Sequence, residues 1–181
     1  MVGRPRDPEP VQVRTRTGDD LEACRTLAWA LLDRDGYPPR MRISMDRFVA
    51  APGALGAWVA EFDSQVLGNV VLTGTSSPEV MALASAAVGE PEASLAVVAR
   101  LMVDPAVRRR GTARALLRTA RDAALAMERR PVLDVAAHFV AARALYEAEG
   151  WTCAGDVTVK VGDLEPLEEV VYVWGATAPD R

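Results

Sequence analysis

The feature that most constrains the fold is a strand–helix–strand pattern spanning residues 94–137. Residues 94–103 form an apolar run interrupted only by Arg100, which predicts a strand buried on both faces. Residues 112–129 carry apolar side chains at helical spacing, and 131–137 predict a second buried strand. Because a helix that joins two buried strands places them side by side and parallel, this pattern indicates an α/β sheet.

The flanking sequence predicts further strands in the same sheet. The elements expected there are, in chain order, a strand near 11–13, a helix from 21 to about 36, a short helix at 44–51, strands at 57–62 and 66–73, a helix between Ser77 and Gly89, a helix at 140–149, and strands at 152–159 and 168–174. The strands at 57–62 and 66–73 form an antiparallel hairpin. The predicted fold class is therefore α/β, with a central mixed sheet flanked by helices on both faces.

The length of 181 residues favours one domain. We place it at 11–176, between tails at 1–10 and 177–181. No apolar run approaches the roughly 18 residues of a membrane helix, and the first residues lack the apolar core of a secretory signal. We therefore expect a cytoplasmic protein that spans no membrane. Two cysteines and one histidine predict neither a disulfide framework nor a metal site.

A cluster of arginines stands out because the whole chain carries a net charge of −4. That overall charge disfavours nucleic acid as a partner. The six arginines of the cluster are Arg108, Arg109, Arg110, Arg114, Arg118 and Arg121. We expect the last three to form a solvated helix face, on which Arg114 lies closest to the preceding turn.

The turn between the first buried strand and its helix predicts an anion site. A helix leaves its first backbone amides unpaired and carries positive potential at that end. Gly111 lets a ligand approach the backbone, and Thr112 and Ala113 are small. Several amides would then point at one diphosphate. The alternative is a solvated connection into an ordinary capped helix.

Two motifs in this region resemble those of GNAT acyltransferases. Arg108-Arg109-Arg110-Gly111-Thr112-Ala113 is similar to the R/Q-x-x-G-x-G/A motif of that family and follows its usual V-x-P. The family's second motif is a strand followed by N-x-x-A-x-x-L-Y-x-x-x-G-F, which resembles Leu133-Asp134-Val135, Ala142, Leu145-Tyr146-Glu147 and Gly150-Trp151. Two motifs in the right order are far more specific than either alone.

The resemblance implies an N-acetyltransferase that uses acetyl-CoA as co-substrate and acetylates a small-molecule or peptide amine directly, in a ternary complex. It implies that Tyr146 protonates the departing thiolate, that a bulged strand pairs with the pantetheine arm, and that the protein is a homodimer. The residues it assigns to cofactor binding are Leu101, Met102, Val103, Arg108, Arg109, Arg110, Gly111, Thr112, Ala113, Arg114, Phe139 and Ala142.

Two departures from the family pattern leave the chemistry incomplete. Many relatives have an asparagine where this chain has Phe139, and a glutamate near the position of Val97. The candidates for a base are then Glu61, Glu92, His138, a water chain or an amine of low pKa in solution. An alternative function is a catalytically inactive acyl-CoA-binding domain that senses the cofactor or supports a partner. A third is transfer of a longer acyl chain.

Three further expectations concern the insertion at 75–92 and some buried side chains. The helix in the insertion is expected to shape the acceptor side of the site. The tryptophans expected in the core or in an interface are Trp29, Trp58 and Trp174. Asp134 lies inside a predicted buried strand, so we expect it to have a structural partner.

Overall fold

The computed structural model describes residues 11–38, 44–107, 110–160 and 165–175. Within them the predicted order of strands and helices is confirmed. One seven-stranded sheet has the order β1-β2-β3-β4-β5-β7-β6. Its strands are β1 (Gln12–Thr15), β2 (Gly56–Phe62), β3 (Gln65–Thr73), β4 (Leu95–Val103), β5 (Arg130–Ala136), β6 (Trp151–Val159) and β7 (Leu167–Trp174).

Neighbouring strands are antiparallel except β4 and β5, which are parallel. The helices are α1 (Leu21–Asp35), α2 (Met45–Ala50), α3 (Pro78–Val88), α4 (Thr112–Ala126) and α5 (Val140–Ala148). The predicted mixed sheet with helices on both faces is therefore present. Across the described ranges, no helix combines the length and apolar character needed to cross a membrane.

Helices α4 and α5 cover one face of the sheet. Leu116 and Leu117 of α4 are buried in one cluster with Leu72 of β3 and Leu133 of β5. Burying each such leucine stabilises the fold by roughly 1.5–3 kcal/mol. This packing holds α4 across the centre of the sheet, so that its first residue lies shortly after the end of β4.

Two separate clusters cover the other face. The first holds α1 and α2 against the sheet through Leu27 and Phe48, which pack with Met102 of β4. The second holds α3 through Val80, which packs with Val171 of β7. The middle of this face, between the two clusters, is therefore flanked by helices rather than covered by one.

The helix predicted in the insertion is confirmed as α3. The hydroxyl of Ser77 accepts a hydrogen bond from the backbone N–H of Val80 at 3.3 Å, which caps the first turn. Pro78 occupies the first turn, and Gly89 ends the helix with a left-handed φ of 69°.

Some expectations about side chains and boundaries differ from the structure. Trp58 and Trp174 pack against the core, as expected. Trp29 is 48% exposed on α1, so it does not lie in the core, and its alternative place in an interface stays a prediction. Helix α4 ends at Ala126 rather than near Arg129, because the next residues form a turn into β5. The predicted tails lie outside the described residues, and the domain bounds stay predictions.

Candidate active site

The sheet opens between β4 and β5. These strands pair only from Leu95 to Val97 and from Arg130 to Val132. Both strands continue beyond that point, β4 to Val103 and β5 to Ala136, without pairing with each other. The backbone N–H and C=O groups that face this gap are therefore available to a ligand.

A bulge in β4 lies beside the gap, as the resemblance implies. Asn69 of β3 pairs with Met102 and Val71 pairs with Ala99, so β4 carries one more residue than β3 over this interval. Arg100 has a left-handed φ of 54° at this point. The bulge changes which side of β4 faces the gap for the residues that follow it.

The three residues assigned to pantetheine binding follow this bulge. Leu101 is half-buried, and Met102 and Val103 are buried. Met102 packs on the α1 and α2 side, whereas Val103 packs on the α4 and α5 side. The backbone of these residues runs along the gap, and their role in binding stays a prediction.

The start of α4 presents backbone amides that lack partners. Gly111 precedes the helix with a φ of 82° and supplies no side chain to cap it. The first backbone hydrogen bond joins the Ala115 N–H to the Gly111 carbonyl at 2.9 Å. In the part of the chain that the structure describes, no acceptor meets the amides of residues 112–114. The set of amides assigned to the diphosphate, which begins at Arg109, stays a prediction.

Thr112 adds a polar atom to the same place. Only 2% of this residue is exposed, and its hydroxyl has no hydrogen-bond partner among the described residues. Ala113 is half-buried, and Arg110 is exposed in the turn. Arg108 and Arg109 lie outside the described residues. A buried, unpaired hydroxyl beside free amides fits an anionic ligand.

The arginines further along α4 are not a simple solvated face. Arg114 and Arg118 both form ion pairs with Glu149, which is 8% exposed. Arg121 lies over the ring of Trp174, 4.4 Å from its centroid. Arg114 and Arg118 are 49% and 54% exposed, as expected of a solvated face, whereas Arg121 is only 18% exposed, so that expectation is wrong for Arg121. The assignment of Arg114 to phosphate stays a prediction.

Tyr146 lies on the inner side of α5. It is 7% exposed, and its ring packs 5.7 Å from that of Tyr172 and 6.5 Å from that of Trp151. Burial raises the pKa of the phenol well above its usual value. The hydroxyl therefore stays protonated at neutral pH, as a proton donor must.

The two other assigned residues of α5 lie near its start. Phe139 is the half-buried N-cap residue, and its ring lies 5.9 Å from that of Tyr37 and 4.2 Å from that of His138. Ala142 is half-buried and packs against the α4 and α5 cluster. Phe139 stands at the position of the asparagine expected from the family motif, and its ring packs against that of Tyr37. Their contacts with a cofactor stay predictions.

The candidate bases named from the sequence are not together. Glu61 of β2 is ion-paired with Arg14 of β1. Glu92 is exposed just before β4, at the end of that strand away from the bulge. His138 is exposed in the turn between β5 and α5. The described contacts of Glu61, Glu92 and His138 therefore do not place any of these side chains in the gap.

The structure instead brings together two carboxyl groups that the sequence patterns did not link. Asp134 of β5 lies opposite Val171, and Glu169 of β7 lies opposite Ala136, so both side chains share one face. The predicted structural partner of Asp134 is present, because the Ser76 hydroxyl donates a hydrogen bond to Oδ1 at 2.9 Å. Glu169 was missed; the available signal was an acid at an inward position of a strand.

Comparison with known proteins assigns the family. The chain matches the Acetyltransferase (GNAT) domain over residues 54–153. The matched segment begins just before β2, the first strand of the hairpin, and runs through β3, α3, β4, α4, β5 and α5 into β6. This protein belongs to the GNAT acetyltransferase family. No curated protein sequence matches it significantly.

Solved structures share the fold over nearly the whole chain. One is yncA of Salmonella typhimurium with its cofactor acetyl-CoA, at 18% identity and a TM-score of 0.69, covering 95% of this chain and 99% of that one. Another is an N-acetyltransferase from Staphylococcus aureus Mu50, also at 18% and 0.69, covering 91% and 98%. Arabidopsis thaliana NAA60 in complex with acetyl-CoA is 22% identical, with a TM-score of 0.67, covering 91% and 97%.

Proposed function

We propose that this protein is an N-acetyltransferase that takes acetyl-CoA as co-substrate and transfers the acetyl group directly to a primary amine of a small molecule or peptide. The observation that carries this proposal is the gap between β4 and β5, which begins after Val97 and has the uncapped start of α4 near one side. Support comes from family membership and from the acetyl-CoA complexes of yncA and NAA60.

The described residues fit acetyl-CoA in two respects. The amides of residues 112–114 and the unpaired Thr112 hydroxyl suit a diphosphate, with Arg110 nearby and Arg108 and Arg109 assigned from the motif. The free backbone groups of β4 along the gap suit an amide-containing arm. Bound there, acetyl-CoA would supply an activated acetyl group as a thioester.

The side chains around the gap support attack by the amine without an acyl-enzyme. Cys24 is fully buried, its Sγ lies 3.7 Å from Asn69 Oδ1, and burial raises the pKa of its thiol to about 11. Cys153 is exposed on the edge strand β6. Neither thiol is an activated nucleophile at the gap. NAA60 is also known in complex with a bisubstrate analogue, which favours two substrates held together.

Proton transfer to the leaving sulfur is assigned to Tyr146. The buried phenol keeps its proton at neutral pH, because burial raises its pKa. A phenol with a pKa of ~10 or above can still donate to a thiolate as negative charge develops on sulfur. A backbone N–H of β4 near Val103 would polarise the thioester carbonyl.

The test is thiol release from acetyl-CoA, screened against polyamines, amino acids, aminoglycosides and peptides. With the best amine, Tyr146→Phe should lower kcat by about 100-fold, because general acid catalysis is worth that much or more. Calorimetric binding of coenzyme A should be unchanged. The matched control is Tyr172→Phe, since Tyr172 donates its hydroxyl hydrogen bond to Glu147 at 2.8 Å.

Two results would contradict the proposal in different ways. Coenzyme A binding without turnover of any amine would support the alternative of a non-catalytic acyl-CoA-binding domain, which the absence of the family glutamate at Val97 and of the asparagine at Phe139 favours. No measurable binding of coenzyme A would remove both functions.

A further inference from the structure

We propose that Asp134 and Glu169 form the subsite that binds the acceptor as an ammonium cation and removes a proton from its nitrogen. The acceptor class is then a primary amine that arrives charged, rather than an amine of low pKa. This inference deepens the proposed function and rests on it, because it assigns the base that neither β4 nor the sequence motifs provide.

The strand register places the two carboxyl groups together. Asp134 and Glu169 lie diagonally across the β5–β7 ladder, on the face covered by α3. This register makes the two carboxyl groups neighbours, and Asp134 accordingly contributes to the raised pKa of Glu169. Ser76, just before α3, donates to Oδ1 of Asp134 at 2.9 Å and fixes its orientation. Both acids are half-buried and therefore remain accessible.

The pair lies beside the gap in the sheet. Pairing of β5 with β4 ends at Val132, two residues before Asp134. The β4-facing edge of β5 is therefore open beside this carboxyl group. An amine bound there would approach the gap from the α3 side of the sheet, whereas Tyr146 reaches the gap from the α5 side.

The surrounding charges explain why the pair holds a proton near neutral pH. Burial raises the pKa of Asp134 and raises that of Glu169 to about 7. The neighbouring Asp134 and Glu79 of α3 contribute to this rise in the pKa of Glu169, after burial. Across the opening lies Tyr37, whose pKa is raised by burial and by the charge of Asp134 and lowered by Arg100.

Arg100 is a cation on this side of the sheet. Its guanidinium lies 5.1 Å from the centre of the Phe48 ring, and its effect falls on Tyr37. The carboxyl pair therefore has no described arginine or lysine that neutralises it. An ammonium group from the acceptor would supply the missing positive charge.

The proton balance uses groups already named. An ammonium nitrogen must lose two protons when it becomes an amide. The carboxyl pair takes the first, which frees the lone pair for attack on the thioester carbon. The new C–N bond forms as the C–S bond breaks, and Tyr146 gives its proton to sulfur. The second proton from nitrogen restores the Tyr146 hydroxyl, and the pair releases its proton to water.

The first experiment measures amine binding without turnover. Spermidine and glycinamide are titrated calorimetrically into the full chain saturated with coenzyme A, which lacks the acetyl group. Asp134→Asn and Glu169→Gln should each weaken amine binding by about 10-fold or more, since a charge-assisted hydrogen bond is lost. Affinity for coenzyme A should stay within about 2-fold. Glu168→Gln is the matched control, because Glu168 is exposed and accepts only from Thr158.

The second experiment is the pH profile of kcat/KM with the best amine. Activity requires the unprotonated pair, so kcat/KM should rise as pH increases through about 7. In Asp134→Asn the neighbouring carboxylate is gone, so the pKa of Glu169 falls and any residual activity should show its inflection at lower pH. A purely structural role would lower the rate without moving the inflection.

The outcomes separate this inference from the proposed function. Turnover with wild-type amine affinity and an unshifted profile in both variants would overturn the carboxyl subsite and leave the acetyltransferase intact. Amine binding that depends on both acids, without turnover, would support the subsite and contradict the enzyme. Amine binding to neither the wild type nor the variants would overturn the subsite. Circular dichroism of both variants confirms that they fold.

Discussion

Asn69 of β3 donates a hydrogen bond through Nδ2 to the backbone carbonyl of Arg100 at 3.0 Å. Arg100 is the bulge residue of β4, so its carbonyl does not continue the regular ladder. Asn69 is fully buried, and its Oδ1 also accepts from Arg16 Nη1 at 2.9 Å. One buried amide thus ties the bulge of β4 to the start of the domain, and the shape of the gap depends on it.

Replacing Asn69 should loosen the bulge. Asn69→Leu leaves the Arg100 carbonyl and the Arg16 guanidinium without this partner, so the free energy of unfolding should fall by about 1–3 kcal/mol. Urea denaturation measures the fall. Asn69→Asp keeps an acceptor for Arg16 but loses the donor for Arg100, so it separates the two bonds. Wild-type stability in both variants would mean that the amide does not anchor the bulge.

Gly68 marks a close approach of β3 to its neighbours. A Cβ at this position would lie 2.8 Å from Leu116 Cδ1 and 3.0 Å from the Met102 carbonyl oxygen. Gly68→Ala should therefore lower the free energy of unfolding by about 1–3 kcal/mol through overpacking, as urea denaturation will measure. The control is Gly18→Ala, where a Cβ meets nothing within 4 Å. Equal stability of the two variants would rule out the steric explanation.

Gly111 should affect both the stability of the protein, through its backbone conformation, and the affinity for coenzyme A, through the space left for the ligand. Gly111 and Gly89 both have left-handed φ values, 82° and 69°, and both have open space around a new Cβ. Alanine at either position should cost about 1–2 kcal/mol of stability. Only Gly111→Ala should also weaken coenzyme A binding, by about 10-fold, because its methyl group would crowd the diphosphate. Calorimetry on both variants decides this, and equal affinities would contradict the assigned phosphate site.

Asp20 should make stability depend on pH at the N-terminal end of the domain. It is 6% exposed and accepts hydrogen bonds from Arg14 Nη1 and Nη2, each at 2.8 Å. The Arg14 guanidinium holds the pKa of Asp20 well below its usual range. Since the folded pKa is depressed, this stabilisation is present above the unfolded pKa of ~3.9 and is lost as the pH falls below it.

Asp20→Asn tests that dependence. The variant should be less stable than the wild type by about 2 kcal/mol at pH 7, and the difference should shrink at pH 3. Asp46→Asn is the control, because Asp46 is 70% exposed in its pair with Arg25 and should change stability by under ~1 kcal/mol. A difference between Asp20→Asn and wild type that is the same at both pH values would contradict the linkage.

Local patterns predicted most of the fold, because each strand or helix carries its own periodicity. The apolar run of β4, the amphipathic α4 and the capping residues of α3 were all read correctly from neighbouring residues. Whether Trp29 lies in the core or in an interface could not be decided from its apolar helical neighbours, and its side chain points outward. Strand order within the C-terminal part of the sheet could not be read, since β7 returns between β5 and β6.

The same distinction holds for the candidate site. The uncapped start of α4 after Gly111 depends on a few consecutive residues, so it could be predicted from the sequence. The partners of the two arginines, Glu149 for Arg118 and Trp174 for Arg121, were not predicted because they come from other parts of the chain. The carboxyl pair was missed for the same reason: Glu169 meets Asp134 only through the β5–β7 ladder.

The seam between β4 and β5, of which the gap is the unpaired part, gives a bound substrate a structural role in the sheet. Only three residue pairs, Leu95–Val97 with Arg130–Val132, join the four-stranded and three-stranded portions through backbone pairing. On the proposed function, a molecule lying along the rest of that seam adds hydrogen bonds to both portions and makes the β-layer continuous. Mechanical stiffness of the whole domain would then report how much of its donor is bound, even in strands that the donor never touches.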